Sequence, residues 1–153
     1  MKITSILNKE NIIFELKATT KAEVIDELIT ALSDNKQVKD IKKLKEAVLE
    51  REEVLSTGIG KGLAIPHCRT NSVEGIVIVF GKTILPIDFE ALDNKPVLLA
   101  FLIESNENFN SEHLKLLMQI GKMTSNDELL NKIVIAKNSN EIYNLFLELD
   151  NTI

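Results

Sequence analysis

Two stretches of this chain are apolar almost without interruption: Gly75-Ile-Val-Ile-Val-Phe and Val97-Leu-Leu-Ala-Phe-Leu-Ile. A half-buried strand alternates apolar and polar residues, whereas these runs set β-branched and aromatic side chains on both faces of the pleat. Strands of this kind are covered above and below, which requires helices on both sides of the sheet. The remaining segments supply them. Thr20-Lys21-Ala22-Glu23 is a capping-box pattern, continued at helical spacing by Val24, Ile25, Leu28, Ile29 and Leu32. Asp40 is placed to cap a second helix with Ile41, Leu44, Val48 and Leu49 inward, running out near Arg51–Glu53. Ser111 opens a third through Leu114, Leu117, Met118 and Ile120, and Asp127 to Ala136 reads as a fourth. Asn140 is the expected cap of a last helix, with Ile142, Leu145, Phe146 and Leu149 in its stripe. Asn11 to Leu16 reads as a short strand. Helices and strands interleave, so the expected fold is a three-layer α/β domain. With no repeat, low-complexity tract or linker, residues 1–153 are expected to form one domain.

Charge and composition narrow the function. A formal net charge of -5 and a pI near 5.1 argue against a nucleic-acid binder, which usually carries a basic field. The apolar runs are too short to span a bilayer, and the N-terminus carries polar and charged residues too early for a signal peptide. The single cysteine, Cys68, rules out an internal disulfide framework and suits a reducing compartment, so the cytoplasm is expected.

Residues 56–70 read STGIGKGLAIPHCRT, and half of the six glycines, Gly58, Gly60 and Gly62, fall within it. Neither the phosphate-binding Walker pattern nor the dinucleotide fingerprint fits any register of this stretch. Two histidines and one cysteine make no convincing zinc set. Cys68 and His67 are no catalytic dyad, since adjacent strand side chains point to opposite faces. The segment suits an anion better. No carboxylate lies between Glu53 and Glu74, while Lys61 and Arg69 are present. Glycines let backbone N–H groups turn toward an oxyanion, and Ser56 and Thr57 add hydroxyl donors. Pro66 fixes the backbone before His67, whose imidazole is nucleophilic and largely neutral at pH 7, as a phosphoryl carrier must be. A structural turn that happens to carry a histidine accounts for the same residues.

His113, in the first turn of the helix at Ser111, lies on the side shared with Leu117 and Ile120, where free N–H groups favour an anion. It could donate to phosphate oxygens or orient His67; a hydrogen-bonded boundary histidine is the plainer alternative. Arg51 could reach the same pocket with its bidentate fork, or simply partner the helix dipole.

The string from Arg51-Glu52-Glu53 through Ser56-Thr57-Gly58-Ile59-Gly60 to Ala64-Ile65-Pro66-His67 resembles the EIIA type-2 domain of the bacterial phosphoenolpyruvate-dependent sugar phosphotransferase system, the fructose–mannitol–nitrogen-regulatory class. Lys95 to Ile103 looks like that family's central strand, and Glu112-His113-Leu114-Lys115-Leu116-Leu117 like its second-histidine helix. The resemblance covers nearly the whole chain. It implies an α/β/α sandwich with a mixed β-sheet between helical layers, and a phosphotransferase component working through phosphohistidine at Nε2. His67 matches the phosphoryl carrier, and His113 and Arg51 the residues that support the phosphoryl group. From the residues themselves, Ser56, Thr57, Gly58 and Gly60 are expected to form a phosphoryl-binding loop at the pocket floor. The implied donor is the histidine-containing phosphocarrier protein and the implied acceptor a cysteine of an EIIB domain, serving a membrane EIIC. No cofactor or metal is implied. Lys61 and Cys68 depart from the family's usual residues. Sugar uptake of fructose or mannitol type is favoured; the alternative is a nitrogen-type regulator whose phosphorylation state controls its partners.

Overall fold

The computed structural model describes residues 1–152. Six strands, β1 (Ile12–Leu16), β2 (Gly58–Gly60), β3 (Leu63–Ala64), β4 (His67–Arg69), β5 (Ile76–Ile87) and β6 (Val97–Ser105), make one mixed sheet. Five helices flank it: α1 (Lys21–Thr30), α2 (Ile41–Val54), α3 (Asn110–Gly121), α4 (Asp127–Ile135) and α5 (Ser139–Asn151). The sheet order is β1-β5-β6-β3-β2, and β4 also pairs with β6. β1 runs parallel to β5, β5 antiparallel to β6, and β3 and β4 parallel to β6.

The two apolar runs are the central strands, and their alternate residues feed two cores. Ile76, Ile78 and Phe80 of β5, with Phe101 and Ile103 of β6, pack against α3, α4 and α5. Val77 and Val79, with Ala100 and Leu102, pack against α1 and α2. Phe80, Phe101 and Phe146 form an aromatic cluster with centroids 4.8, 5.1 and 5.4 Å apart. The three-layer expectation therefore follows from two-sided burial. No helix among the described residues is long and apolar enough to cross a membrane.

Several expected boundaries shift. Thr20 and Asp40 cap their helices by accepting from the N–H groups of Glu23 and Lys43. The last helix is capped by Asn138, whose side chain accepts from Glu141 N–H, so Asn140 lies inside the first turn. Ser111 does not open α3 either. A 3₁₀ turn at Glu107–Phe109, capped by Asn106, is already wound when the chain reaches Asn110. The buried residues of α3 are His113, Leu116, Gln119 and Ile120, with His113, Leu116 and Ile120 spaced i, i+3, i+7. Leu114 and Met118 sit one residue further round and are each 58% exposed, so they belong to the outer face. Ile41 is also exposed, at the solvent-facing entry to α2.

Candidate functional site

The glycine-dense segment folds as a hairpin. β2 pairs antiparallel with β3 across a turn in which Gly60, Lys61 and Gly62 have φ of 106, 59 and 78°. This left-handed run admits glycine without strain and leaves Lys61 as the one residue with a side chain there. Beyond the hairpin, β3 and β4 lie along the same side of β6 in a single register: Leu63 pairs with Leu99, and His67 with Ile103. Pro66 interrupts them because it has no N–H to give, yet its carbonyl still accepts from Ile103 N–H at 3.0 Å. The proline thus separates two short strands without shifting the pleat, and His67 starts the second.

His67 opens into a cleft of about 860 Å³ between α2 and α3, lined also by Arg51 and Val54 of α2, Arg69 of β4, and Asn110, Ser111 and His113 of α3. The two imidazoles lie with ring centroids 5.5 Å apart and planes tilted by 51°. Nδ1 of His67 is 2.7 Å from the Ile65 carbonyl oxygen, which can only accept. Nδ1 therefore carries the proton, and Nε2 carries the lone pair. Burial lowers the His67 pKa; the bond to Ile65 opposes this, and Arg51 adds to it. The ring is a neutral nucleophile at pH 7.

His113 is 5% exposed, and its Nδ1 is in hydrogen-bond contact with the Ser105 hydroxyl. Burial first, then His67 and Arg69, push its pKa down to about 4, so it too is neutral. Two guanidinium groups supply the positive charge. Arg51 donates to the Leu55 carbonyl at 2.8 Å, just past the end of α2, and Arg69 to Asn110 Oδ1 at 2.8 Å. Arg51 thus partners its helix terminus and borders the cleft at once.

Sequence reasoning placed His67, His113 and Arg51 together, and they share this cleft. The hairpin residues do not join them. Ser56 Oγ donates to the Phe89 carbonyl at 2.6 Å and accepts from Gly58 N–H. Thr57 gives its N–H and hydroxyl to buried Glu52 at 2.9 and 2.6 Å, and Glu52 is also paired with Lys21 at 2.8 Å. Gly60 faces Asp93. With their donors committed inward, Ser56, Thr57, Gly58 and Gly60 brace the end of α2 against the sheet and do not line the cleft. The carboxylate-free stretch of sequence does not empty the region of carboxyl groups either, since Glu50 lines the cleft. Cys68, which also lines the cleft, donates from Sγ to Glu104 Oε2 at 2.6 Å, and Glu104 Oε1 has no partner among the described residues. Burial pushes the Glu104 carboxyl well above the usual carboxylate range, and burial with Glu104 pushes the Cys68 thiol up.

Asn110, Glu104 and Ser105 escaped the sequence reading, and Arg69 entered it only as a cation in the carboxylate-free stretch, without a place in the site. A signal existed for two of them: the central apolar run ends in Glu104-Ser105, a polar pair inside a strand buried on both faces. No group of three or more His, Cys, Asp or Glu side chains among the described residues is placed to hold a metal.

The chain is thus an α/β/α domain on a mixed sheet with two neutral histidines and two arginines around one cleft. The family model for "Phosphoenolpyruvate-dependent sugar phosphotransferase system, EIIA 2" matches residues 5–149, and the chain belongs to that family. It is 36% identical over 150 residues to the fructose-specific EIIABC component of Bacillus subtilis (strain 168), covering 98% of this chain and 24% of that longer protein. The nitrogen regulatory protein IIA-Ntr of Neisseria meningitidis superposes with a TM-score of 0.88 at 28% identity, covering 94% of this chain and 98% of that one. The mannitol enzyme IIA of Escherichia coli, solved in complex with phosphorylated enzyme IIB, superposes at 0.79 with 22% identity over 93% and 97% of the chains, a likeness of fold.

Proposed function

We propose that residues 1–153 act as one EIIA domain that accepts a phosphoryl group on His67 Nε2 from the histidine-containing phosphocarrier protein. The domain then passes it to a cysteine of an EIIB domain, supplying a membrane EIIC during uptake of a fructose- or mannitol-type sugar. The work is done in the cytoplasm, with no cofactor and no nucleic acid. The observation that carries this reading is the hydrogen bond from His67 Nδ1 to the Ile65 carbonyl, which leaves the Nε2 lone pair free in a cleft bordered by Arg51, Arg69 and His113.

The steps follow from that geometry. The Nε2 lone pair attacks phosphorus in line with the donor's N–P bond, which breaks and returns its electron pair to the donor imidazole. The new phosphoimidazolium of His67 keeps its Nδ1 proton on the Ile65 carbonyl. Arg51 and Arg69 balance the charge on the phosphoryl oxygens, and a bidentate fork suits them better than a point charge. In the second step an acceptor thiolate attacks phosphorus, the N–P bond of His67 breaks, and the ring recovers its neutral form. Little covalent work falls to the protein, so positioning and electrostatics carry the rate. The apolar residues fringing the cleft, Val54 and Leu114, suit it to docking of both partners over the same face. That face lies between α2 and α3.

The mannitol IIA–IIB complex, a relative by fold, supports an EIIB partner. A second reading, a nitrogen-type regulator whose His67 phosphorylation state selects its partners, draws on the likeness to IIA-Ntr. Adjacent reading frames for EIIB and EIIC favour transport, and their absence favours regulation. The carrier chemistry common to both is tested by incubation with phosphoenolpyruvate, enzyme I and the phosphocarrier. An acid-labile, alkali-stable label is expected on the wild-type protein and none on His67→Ala. Label persisting in the variant places the phosphoryl group elsewhere.

A further inference from the structure

The last two residues of β6 are both inaccessible to solvent, and they point to opposite faces of the sheet. Glu104 meets Cys68, and Ser105 meets Nδ1 of His113. Among the described residues the Ser105 hydroxyl has no other hydrogen-bond partner. Two proton arrangements satisfy that contact in principle. If Nδ1 carried the proton, the hydroxyl would accept it, and the hydroxyl's own hydrogen would be left buried with no acceptor. If the hydroxyl donates to an unprotonated Nδ1, both groups are satisfied and the ring proton resides on Nε2. A buried donor without a partner pays its full desolvation penalty with nothing to offset it, so the second arrangement wins.

We propose that Ser105 is a positioning residue: its hydroxyl donates to Nδ1 of His113 and holds that imidazole as the Nε2–H tautomer, whose N–H serves the cleft as a donor to phosphoryl oxygens on His67. This rests on His67 being the phosphoryl carrier. The two rings then form a complementary pair. Each turns Nδ1 toward an anchor, but the anchor of His67 is a carbonyl, which can only accept, and the anchor of His113 is a hydroxyl, which can donate. The same ring in two places becomes a nucleophile and a donor. Because burial keeps His113 neutral, it has a single N–H to offer, and its tautomer decides whether the cleft meets a proton or a lone pair. A second lone pair facing His67 Nε2 would repel an incoming phosphoryl oxygen. With Nε2–H in place, that edge of the cleft attracts it.

Long-range ¹H–¹⁵N correlation of the imidazole rings tests this on the unphosphorylated wild-type protein at pH 7.5. The expected result is a protonated Nε2 and bare Nδ1 for His113, with the reverse for His67. Ser105→Ala is expected to give a mixture of His113 tautomers and to slow transfer from phosphorylated domain to EIIB by about 10–100-fold, by analogy with the loss of groups that orient metal-bound histidines. Ser105→Thr, which keeps the hydroxyl, is expected to recover most of that rate and the Nε2–H signature. A wild-type His113 protonated on Nδ1 overturns the proposal, as does Ser105→Ala transferring at the wild-type rate. If the carrier reading itself fails, the wild-type protein takes no label on His67; if only the role of Ser105 fails, the label is intact.

Discussion

Glu104 and His113 are buried ionisable residues on opposite sides of β6, and they pull the stability of the molecule in opposite directions with pH. The folded pKa of Glu104 is raised above its ordinary 4.5, chiefly by burial. Its contribution is present below that value and is lost as pH rises, because the unfolded chain ionises there and the folded one does not. His113 has the opposite sign. Its folded value of about 4 lies below the ordinary 6.5, so its contribution is present above 6.5 and is lost as pH falls toward 4. Cys68 and the orphaned Oε1 give Glu104 poor compensation for this burial, and an unsatisfied buried polar group costs about 1–3 kcal/mol. Replacing it by an apolar residue of similar size should therefore stabilise the protein where Glu104 is costly. Glu104→Met is expected to melt above wild type at pH 8, with the gain narrowing toward pH 4.5. Thermal melts across that range measure it. A variant that melts lower at both ends would mean that the carboxyl makes a favourable interaction in the folded state.

Among the elements, the hairpin departs most from its sequence reading. Glycines beside hydroxyl residues and a histidine suggested a phosphate cradle, since an anion nest and a tight brace demand the same residue types. What separates them is where the donors point, and that depends on Glu52, Phe89 and Asp93, brought in by other elements. Gly58 shows the bracing role. A Cβ built there would lie 2.7 Å from Ala91 Cβ and 2.9 Å from Ala91 Cα, so the hairpin could not seat against the segment after β5. Gly58→Ala should cost about 1–3 kcal/mol, the range for overpacking, and lower the melting temperature by several degrees. An unchanged melting temperature would show that the hairpin is free to move away from Ala91. The central strands were legible because two-sided burial leaves its mark in consecutive residues, and Thr20 and Asp40 because a cap is a local device. Asn138 was missed in favour of Asn140 because two cap-competent asparagines flank Ser139, and the sequence does not rank them. The inward face of α3 was read one residue off at Leu114 and Met118, whose exposure only the finished packing decides.

Taken whole, the fold brings two distant segments of chain to one cleft. His67 comes from a short strand held parallel to β6, and His113 from the helix that follows β6 after one 3₁₀ turn, so the central strand sets the distance between them. Their partnership was legible as a family likeness, and the nearby Arg51 with it. Of the anchors proposed to decide what each ring does, Ser105 shows in the sequence only as a polar residue ending an apolar run, and the Ile65 carbonyl, set by register, not at all. In the proposed function this architecture makes His67 Nε2 the phosphoryl acceptor, because the Ile65 carbonyl occupies Nδ1. It is tested most directly by ³¹P and ¹⁵N NMR of the ¹⁵N-labelled domain after phosphorylation by phosphoenolpyruvate, enzyme I and the phosphocarrier. One phosphoryl group is expected, coupled to Nε2 of His67, with Nδ1 still protonated. Phosphorus coupled to Nδ1 of His67, or to a nitrogen of His113, would contradict the account.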